Sequence, residues 1–272
     1  MRLILRLVQR LAVFGLGVLS VWLIAYVFRF TDHRTPTIVA LALTYGIGAY
    51  IILPRAVRLG LRVLQRQHVP RFTITGDGLP GDPVNLALVG TFDQLRAAFA
   101  KCGWVEADPL NLKTSWRMAH SFVLNTPYPT APFSTLYLFG RGQDIGFQKA
   151  IGDSPRKRHH IRFWAQDVEN AKANASTLDF WLDTSRPEHS ELALWVGAGT
   201  RDTGFSLTRL TFQFTHATDP DTNAERDFLI SELTRCGAIR HAMLFKPGDH
   251  IERVNHYIAD GEIAVAEIAS TS

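Results

Sequence analysis

Two uncharged apolar runs near the start of the chain constrain its fold more than any other feature of its 272 residues. Leu11 to Phe28 holds eighteen residues without a charge, and Thr37 to Leu53 holds seventeen. As helices rising 1.5 Å per residue, each would extend about 26 Å, near the lower limit for the hydrocarbon core of a bilayer. Trp22, Tyr26, Tyr45 and Tyr50 stand where aromatic side chains anchor a span at the lipid–water boundary. A secretory signal would also begin with an apolar run. This one is too long for that, and Arg29-Phe30-Thr31-Asp32 offers no small-residue cleavage site. Residues 1–58 are therefore read as a two-helix transmembrane hairpin, with spans at about 11–28 and 37–53.

The charges divide at the same place. Residues 1–71 carry ten Lys+Arg and a single acid, Asp32, for a net +9, whereas residues 72–272 carry 19 Lys+Arg against 24 Asp+Glu, for −5. The overall excess of +4 thus belongs to the hairpin's flanks, and the acidic body argues against a nucleic-acid partner. Arg2, Arg6 and Arg10 precede the first span, and Arg55, Arg58, Arg62, Arg66 and Arg71 follow the second. The rule that positive loops stay inside places both termini and the globular domain in the cytoplasm. Arg55, Arg58, Arg62 and Arg66 would form one basic stripe along a helix leaving the lipid, facing anionic head groups or solvent. Neither span contains an ionisable side chain, which favours an anchor over an ion pathway. Gly15, Gly17, Gly46 and Gly48 would permit close helix packing. Cys102 and Cys236, each followed by glycine, read as buried thiols at helix ends.

Residues 59–81 read as the basic stripe and a Gly/Pro linker, and 82–272 as one globular domain. Val84 to Gly90 has the pattern of a buried strand, and Thr91-Phe92-Asp93-Gln94 that of a capping box opening a helix to Cys102. A second helix is expected over Ser115 to Leu124, before a proline-rich loop. Strand patterns then recur in STLYLFG, DIGFQKA, KRHHIRFWA, ELALWVGAG and LTFQFTHA, before a helix at Asp221 to Cys236 and a last strand in GEIAVAEI. This order predicts an α+β two-layer sandwich with a mainly antiparallel sheet.

Three stretches carry candidate chemistry. Along Arg156 to Ala165, period-2 geometry puts His159, Ile161 and Phe163 on one face and Arg158, His160, Arg162 and Trp164 on the other. A row of Arg158, His160 and Arg162 suits a phosphate or carboxylate, but it also suits solvent or acids on a neighbouring strand. Near Thr215 to Asp227, His216 points inward at a strand's end. Asp219 ahead of Pro220 reads as a helix cap, and Thr222 with Glu225 as a second capping box. The same cluster would serve a divalent metal held by His216, Asp219 and Asp221. In Trp195 to Gly204, Gly197 and Gly199 signal close backbone approach within a strand. Asp202-Thr203-Gly204 resembles the aspartic-protease tripeptide but reads as a turn. No P-loop, nucleophile elbow or zinc-protease helix motif is present.

The same stretches carry a resemblance. GDPVNLALVG from Gly81, YPTAP from Tyr128, LYLFGRGQD from Leu136, SPRKRHHIRFW from Ser154, WVGAGTRDTG from Trp195 and FTHATDPDTNAERD from Phe214 together resemble the LssY C-terminal domain family of bacterial membrane proteins. The resemblance covers nearly all of residues 76–247. It implies a bacterial inner-membrane setting, often beside lipid-phosphate phosphatase or DedA-like membrane domains, with no activity of the domain itself to carry over. The phosphatase motifs of those neighbours are absent here. The motif positions include Arg141, Asp144, Arg158, His159, His160, Arg162, Asp202, His216, Asp219, Asp221, Glu225, Arg226 and Asp227, a density of charge that suggests a site.

Two functions are therefore expected. The first is a membrane-anchored binding or accessory domain for an anionic head group, a phosphate or an envelope protein, with Arg158, Arg162, Arg141 and Arg226 as anion ligands. The second is a metal-assisted hydrolase of a phosphorylated or lipid-linked substrate, with His160, His216, Asp202 and Asp219 in the reaction.

Overall fold

The computed structural model describes residues 2–64, 71–76, 80–152, 156–174, 180, 183–207, 214–246 and 259–269. They form two compact units, one of residues 1–67 with 75–79 and 206–215, the other of the remainder.

In the first unit, helix α1 (Arg2–Asp32) and helix α2 (Thr37–Ile47) are joined by a short turn. A π-helical stretch, Gly48–Ile52, carries α2 into α3 (Leu53–Leu64) without a break. Pro54 follows that stretch, where a missing N–H and a ring must be accommodated in a continuing helix. The chain offers two segments long and apolar enough to cross a membrane, Leu11–Asp32 and Thr37–Val57. Small side chains line their mutual contact: Ser20, Ala40, Gly48 and Ala49 are buried, while Trp22, Tyr26 and Tyr50 are exposed. Of the four glycines in the spans, Gly48 meets the other helix, since a Cβ there would touch Ile24 at 3.4 Å. Small side chains at such a contact let two helix backbones approach closely. Arg55, Arg58 and Arg62 all fall on α3, as the stripe requires, and Arg66 lies outside the described residues.

The second unit is built on an eight-stranded sheet. In chain order its strands are β3 (Leu86–Gly90), β4 (Val105–Glu106), β7 (Ile145–Ala150), β8 (Arg158–Asp167), β9 (Ala193–Leu207), β10 (Phe214–Thr218), β11 (Ile239–Phe245) and β12 (Ile263–Ile268). They lie in the order β11-β12-β3-β9-β8-β7-β4, with β10 also on β9. Every described pairing on that path is antiparallel except β12 on β3. A smaller sheet, β2-β1-β5-β6, uses β1 (Phe72–Thr75), β2 (Pro80–Pro83), β5 (Leu136–Leu138) and β6 (Arg141–Gly142). The stretch read as a linker thus contributes a strand, β1.

Helices α4 (Phe92–Lys101) and α7 (Thr222–Arg235) cover one face of the large sheet; α5 (Leu112–Leu124) and α6 (Val168–Asn174) complete the unit. Thr91 caps α4 as its sequence predicts, accepting from the Gln94 amide while the Gln94 side chain accepts from the Thr91 amide. The core beneath α4 and α7 is aromatic: Phe99 stacks on Phe147 at 4.5 Å and meets Phe163 edge-on at 5.4 Å. Burying each such ring contributes about 1.5–3 kcal/mol. Gly199 lets α7 close onto this face, because a Cβ there would lie 2.5 Å from Leu229. A Cβ on Gly197 would meet Phe163 at 2.7 Å, so both glycines mark close approach as their pattern suggested. Cys102 and Cys236 end α4 and α7 as free thiols, each followed by a glycine at positive φ.

The opposite face of the sheet is covered too. Leu136, Leu138, Phe139, Ala171 and Phe180 pack there against Trp164, Val196 and Ala198. Strand β8 is consequently buried along almost its whole length, with no solvated side.

Candidate functional site: a buried cationic row on β8

The alternation read from the sequence holds. On the helix-covered face, His159 stacks on Phe228 at 4.1 Å and its Nδ1 lies 2.9 Å from buried Glu225. Arg158, His160 and Arg162 share the other face, where each is at most 4% exposed. Of the alternatives left open for that row, solvent is therefore excluded and neutralisation by acids is observed.

The acids come from two places. Asp202 stands opposite Arg158 in the β8–β9 register and accepts from its Nε at 2.9 Å. It occupies the middle of β9, so the turn expected at Asp202-Thr203-Gly204 is corrected to strand. Asp82, from β2 of the small sheet, accepts from Arg162 Nη1 at 2.6 Å. His160 lies between the two arginines. Its Nδ1 is 3.4 Å from Asp202 and its Nε2 is 2.9 Å from the Thr200 hydroxyl and 3.8 Å from Asp82. Burial works against the imidazolium and so does Arg162, but Asp202 and Asp82 outweigh them and raise the His160 pKa above its ordinary value.

A loop roofs the row. After α5, the chain returns through Pro127, Pro129 and Pro132 to stack Phe133 on the imidazole, with ring centres 5.5 Å apart and planes 29° from parallel. The same ring lies 4.5 Å from the Arg162 guanidinium, a cation–π contact. Gly146 makes room for it, since a Cβ there would fall 2.3 Å from the ring. The Ala131 carbonyl accepts from Gln148 at 2.7 Å and from Arg158 at 3.2 Å, tying the loop to the strands. Gln148 completes the set by accepting from Arg158 Nη1 at 2.6 Å.

The other candidates fall elsewhere. Arg141 reaches Asp144 at 3.2 Å and the carbonyls of Ser185 and Ala165, fastening β6 to its neighbours. Arg226 holds Asp227 and Asp260, joining α7 to the segment before β12. Asp219 accepts from the Asp221 amide, and its carboxylate lies 3.8 Å from Arg201, whose register partner is His159 on the face away from the row. The cap of α7 is Asp221, accepting from the Ala224 amide at 2.9 Å; this corrects both Asp219 as cap and the Thr222–Glu225 box. The side chain of His216 lies outside the described residues. Among the described residues no three His, Cys, Asp or Glu side chains gather where a metal could sit, and Asp219 and Asp221 are turned to backbone amides. Of the four residues named for the hydrolase, the structure brings together His160 and Asp202.

Asp82, Gln148, Thr200 and Phe133 were not singled out from sequence. Thr200 shares strand parity with Asp202, two residues away, a signal that reading the stretch as strand rather than turn would have exposed. Asp82 and Phe133 lie in turn-rich segments with no period to read.

A family model described as LssY C-terminus matches residues 66–262. No curated protein and no solved structure matches the chain.

Proposed function

The chain belongs to the LssY C-terminal domain family, and from that premise we propose a membrane-anchored binding domain whose β8 row receives an anionic group, a phosphate or carboxylate. The observation that carries this reading is the side-by-side burial of Arg158, His160 and Arg162 under a single aromatic ring. Protonating His160 adds a positive charge where solvent has little access, and an anion drawn in beside it would stabilise that form. Thr200 and Gln148 supply neutral hydrogen-bonding groups, and the Phe133 loop is the segment that must yield for entry. In this proposal the domain faces the cytoplasm of a bacterial inner membrane, as the flanking arginines direct.

Calorimetry of the full chain in phosphatidylcholine nanodiscs, titrated with inorganic phosphate, tests the reading. Binding should be tighter at pH 6 than at pH 8. It should weaken about 10-fold or more when Arg162→Met and Asp82→Asn remove one charge pair together. Equal binding by the native and doubly substituted chains would refute it.

One observation favours a second reading. Thr200 Oγ1, His160 and Asp202 stand in the order hydroxyl, imidazole, carboxylate, at 2.9 and 3.4 Å. That is the sequence of groups by which a base activates a nucleophile, with two guanidiniums at hand for a developing oxyanion. It would make the domain a hydrolase acting through Thr200. Turnover of p-nitrophenyl phosphate or p-nitrophenyl acetate, abolished by Thr200→Val, would establish it; identical rates in both chains would end it.

A further inference from the structure

The helix that leads into the roof loop has an apolar side that the domain does not cover. On α5, Leu112 is 93% exposed, Trp116 75% and Val123 73%. At 100° per residue these three and exposed Ala119 fall within about 60° of one another, a single narrow stripe. Exposed Lys113, Arg117 and His120 border it on one side, and the helix contains no acidic residue. Ser121 is buried on the side facing the domain. The helix is well fixed. Asn111 and Thr114 form a capping box at its start, Arg117 lies 4.1 Å over the Tyr128 ring, and Ser121 bonds to the Thr126 carbonyl at its end. Exposing a tryptophan and two aliphatic side chains in line on an ordered helix is unfavourable in water, so the stripe calls for a partner.

We propose that α5 lies in the interfacial plane of an anionic bilayer, with Leu112, Trp116, Ala119 and Val123 inserted at the acyl boundary and Lys113, Arg117 and His120 among the head groups. Three features point to lipid. Lys113 and Arg117 make the border positive, with no acid on the helix to offset them, and so complement an anionic leaflet. Trp116 has the amphipathic ring that favours the interface. The same chain carries two segments long and apolar enough to span a membrane. The proposal does not depend on what the β8 row binds.

Nitroxide labels test it on the full chain in nanodiscs. In a background with Cys102 and Cys236 replaced by alanine, cysteines are placed singly at Leu112, Trp116 and Val123, with exposed Lys172 as the control. In phosphatidylglycerol-rich discs, the ratio of oxygen to nickel-chelate accessibility at the three α5 sites should exceed the Lys172 value about threefold or more. It should fall toward the control in pure phosphatidylcholine. Labels as open to the nickel chelate as Lys172 would overturn the proposal. So would labels shielded from both reagents, which would show a protein or a second copy on the stripe. Equal depth in both lipids would overturn the role given to Lys113, Arg117 and His120.

Discussion

Replacing Asp202 with asparagine removes one negative charge from the buried row at almost constant shape. Asp202 is 1% exposed; it accepts from Arg158 at 2.9 Å and lies 3.4 Å from His160. In Asp202→Asn, Arg158 keeps Gln148 and the Ala131 carbonyl but loses its ionic partner on β9. Breaking a buried pair by removing one member costs about 3–5 kcal/mol. For a domain near 200 residues, each kcal/mol lowers the melting temperature by about 2–4 °C, so the expected drop is about 6–20 °C. Substituting both partners with apolar residues, Arg158→Met with Asp202→Leu, should recover most of that loss, because a compensated pair gains little over hydrophobic packing. Differential scanning calorimetry of the full chain in detergent reads both. A loss below about 1 kcal/mol in Asp202→Asn, the scale of exposed ion pairs, would refute the burial argument.

Stability should also depend on pH through His160. Its folded pKa is raised, so its contribution is fully present below the unfolded value near 6.5 and is lost as pH rises through the folded value. Chemical denaturation across that window should show the decline, and Asp202→Asn should abolish it. The Cys102 thiol, pushed up to about 12 by burial and by neighbouring Cys236, should react with iodoacetamide at pH 8 about a thousandfold more slowly than a free thiol. Mass spectrometry of the alkylated native protein reads this, and rapid labelling of Cys102 would contradict it. Gly199→Ala should cost about 1–3 kcal/mol, since its Cβ would press on Leu229 at 2.5 Å. Under the proposed orientation, reporter fusions at Ser272 should be active in the cytoplasm; activity on the opposite side of the membrane would reverse it.

How much of this was legible in the sequence depended on whether a local pattern existed to be read. The two N-terminal helices were legible because each is one long unbroken apolar run, and α4 because its capping box is written in four adjacent residues. The two faces of β8 followed from period 2 alone. What lay opposite Arg158 did not, because register with β9 is set by pairing distant in the chain. Asp202 was consequently read as a turn residue, since Asp-Thr-Gly has turn composition whichever sheet it joins. Asp82 and Phe133 escaped for a related reason: both reach the row from irregular segments whose course depends on tertiary packing. The α7 cap was misplaced by two residues, because Asp219, Asp221 and Thr222 are all good cap residues and only backbone geometry chooses among them.

Asp202 and Asp82 favour protonation of His160 over its ordinary tendency, and an anion received in the proposed row should favour it further. The most direct test is a carbon-13 titration of the histidine Cε1 signals in the full chain, with His160 assigned by comparison with His160→Gln. The midpoint should lie above 6.5 and rise further when inorganic phosphate is added. A midpoint below 6.5, or one that phosphate leaves unmoved, would contradict this reading.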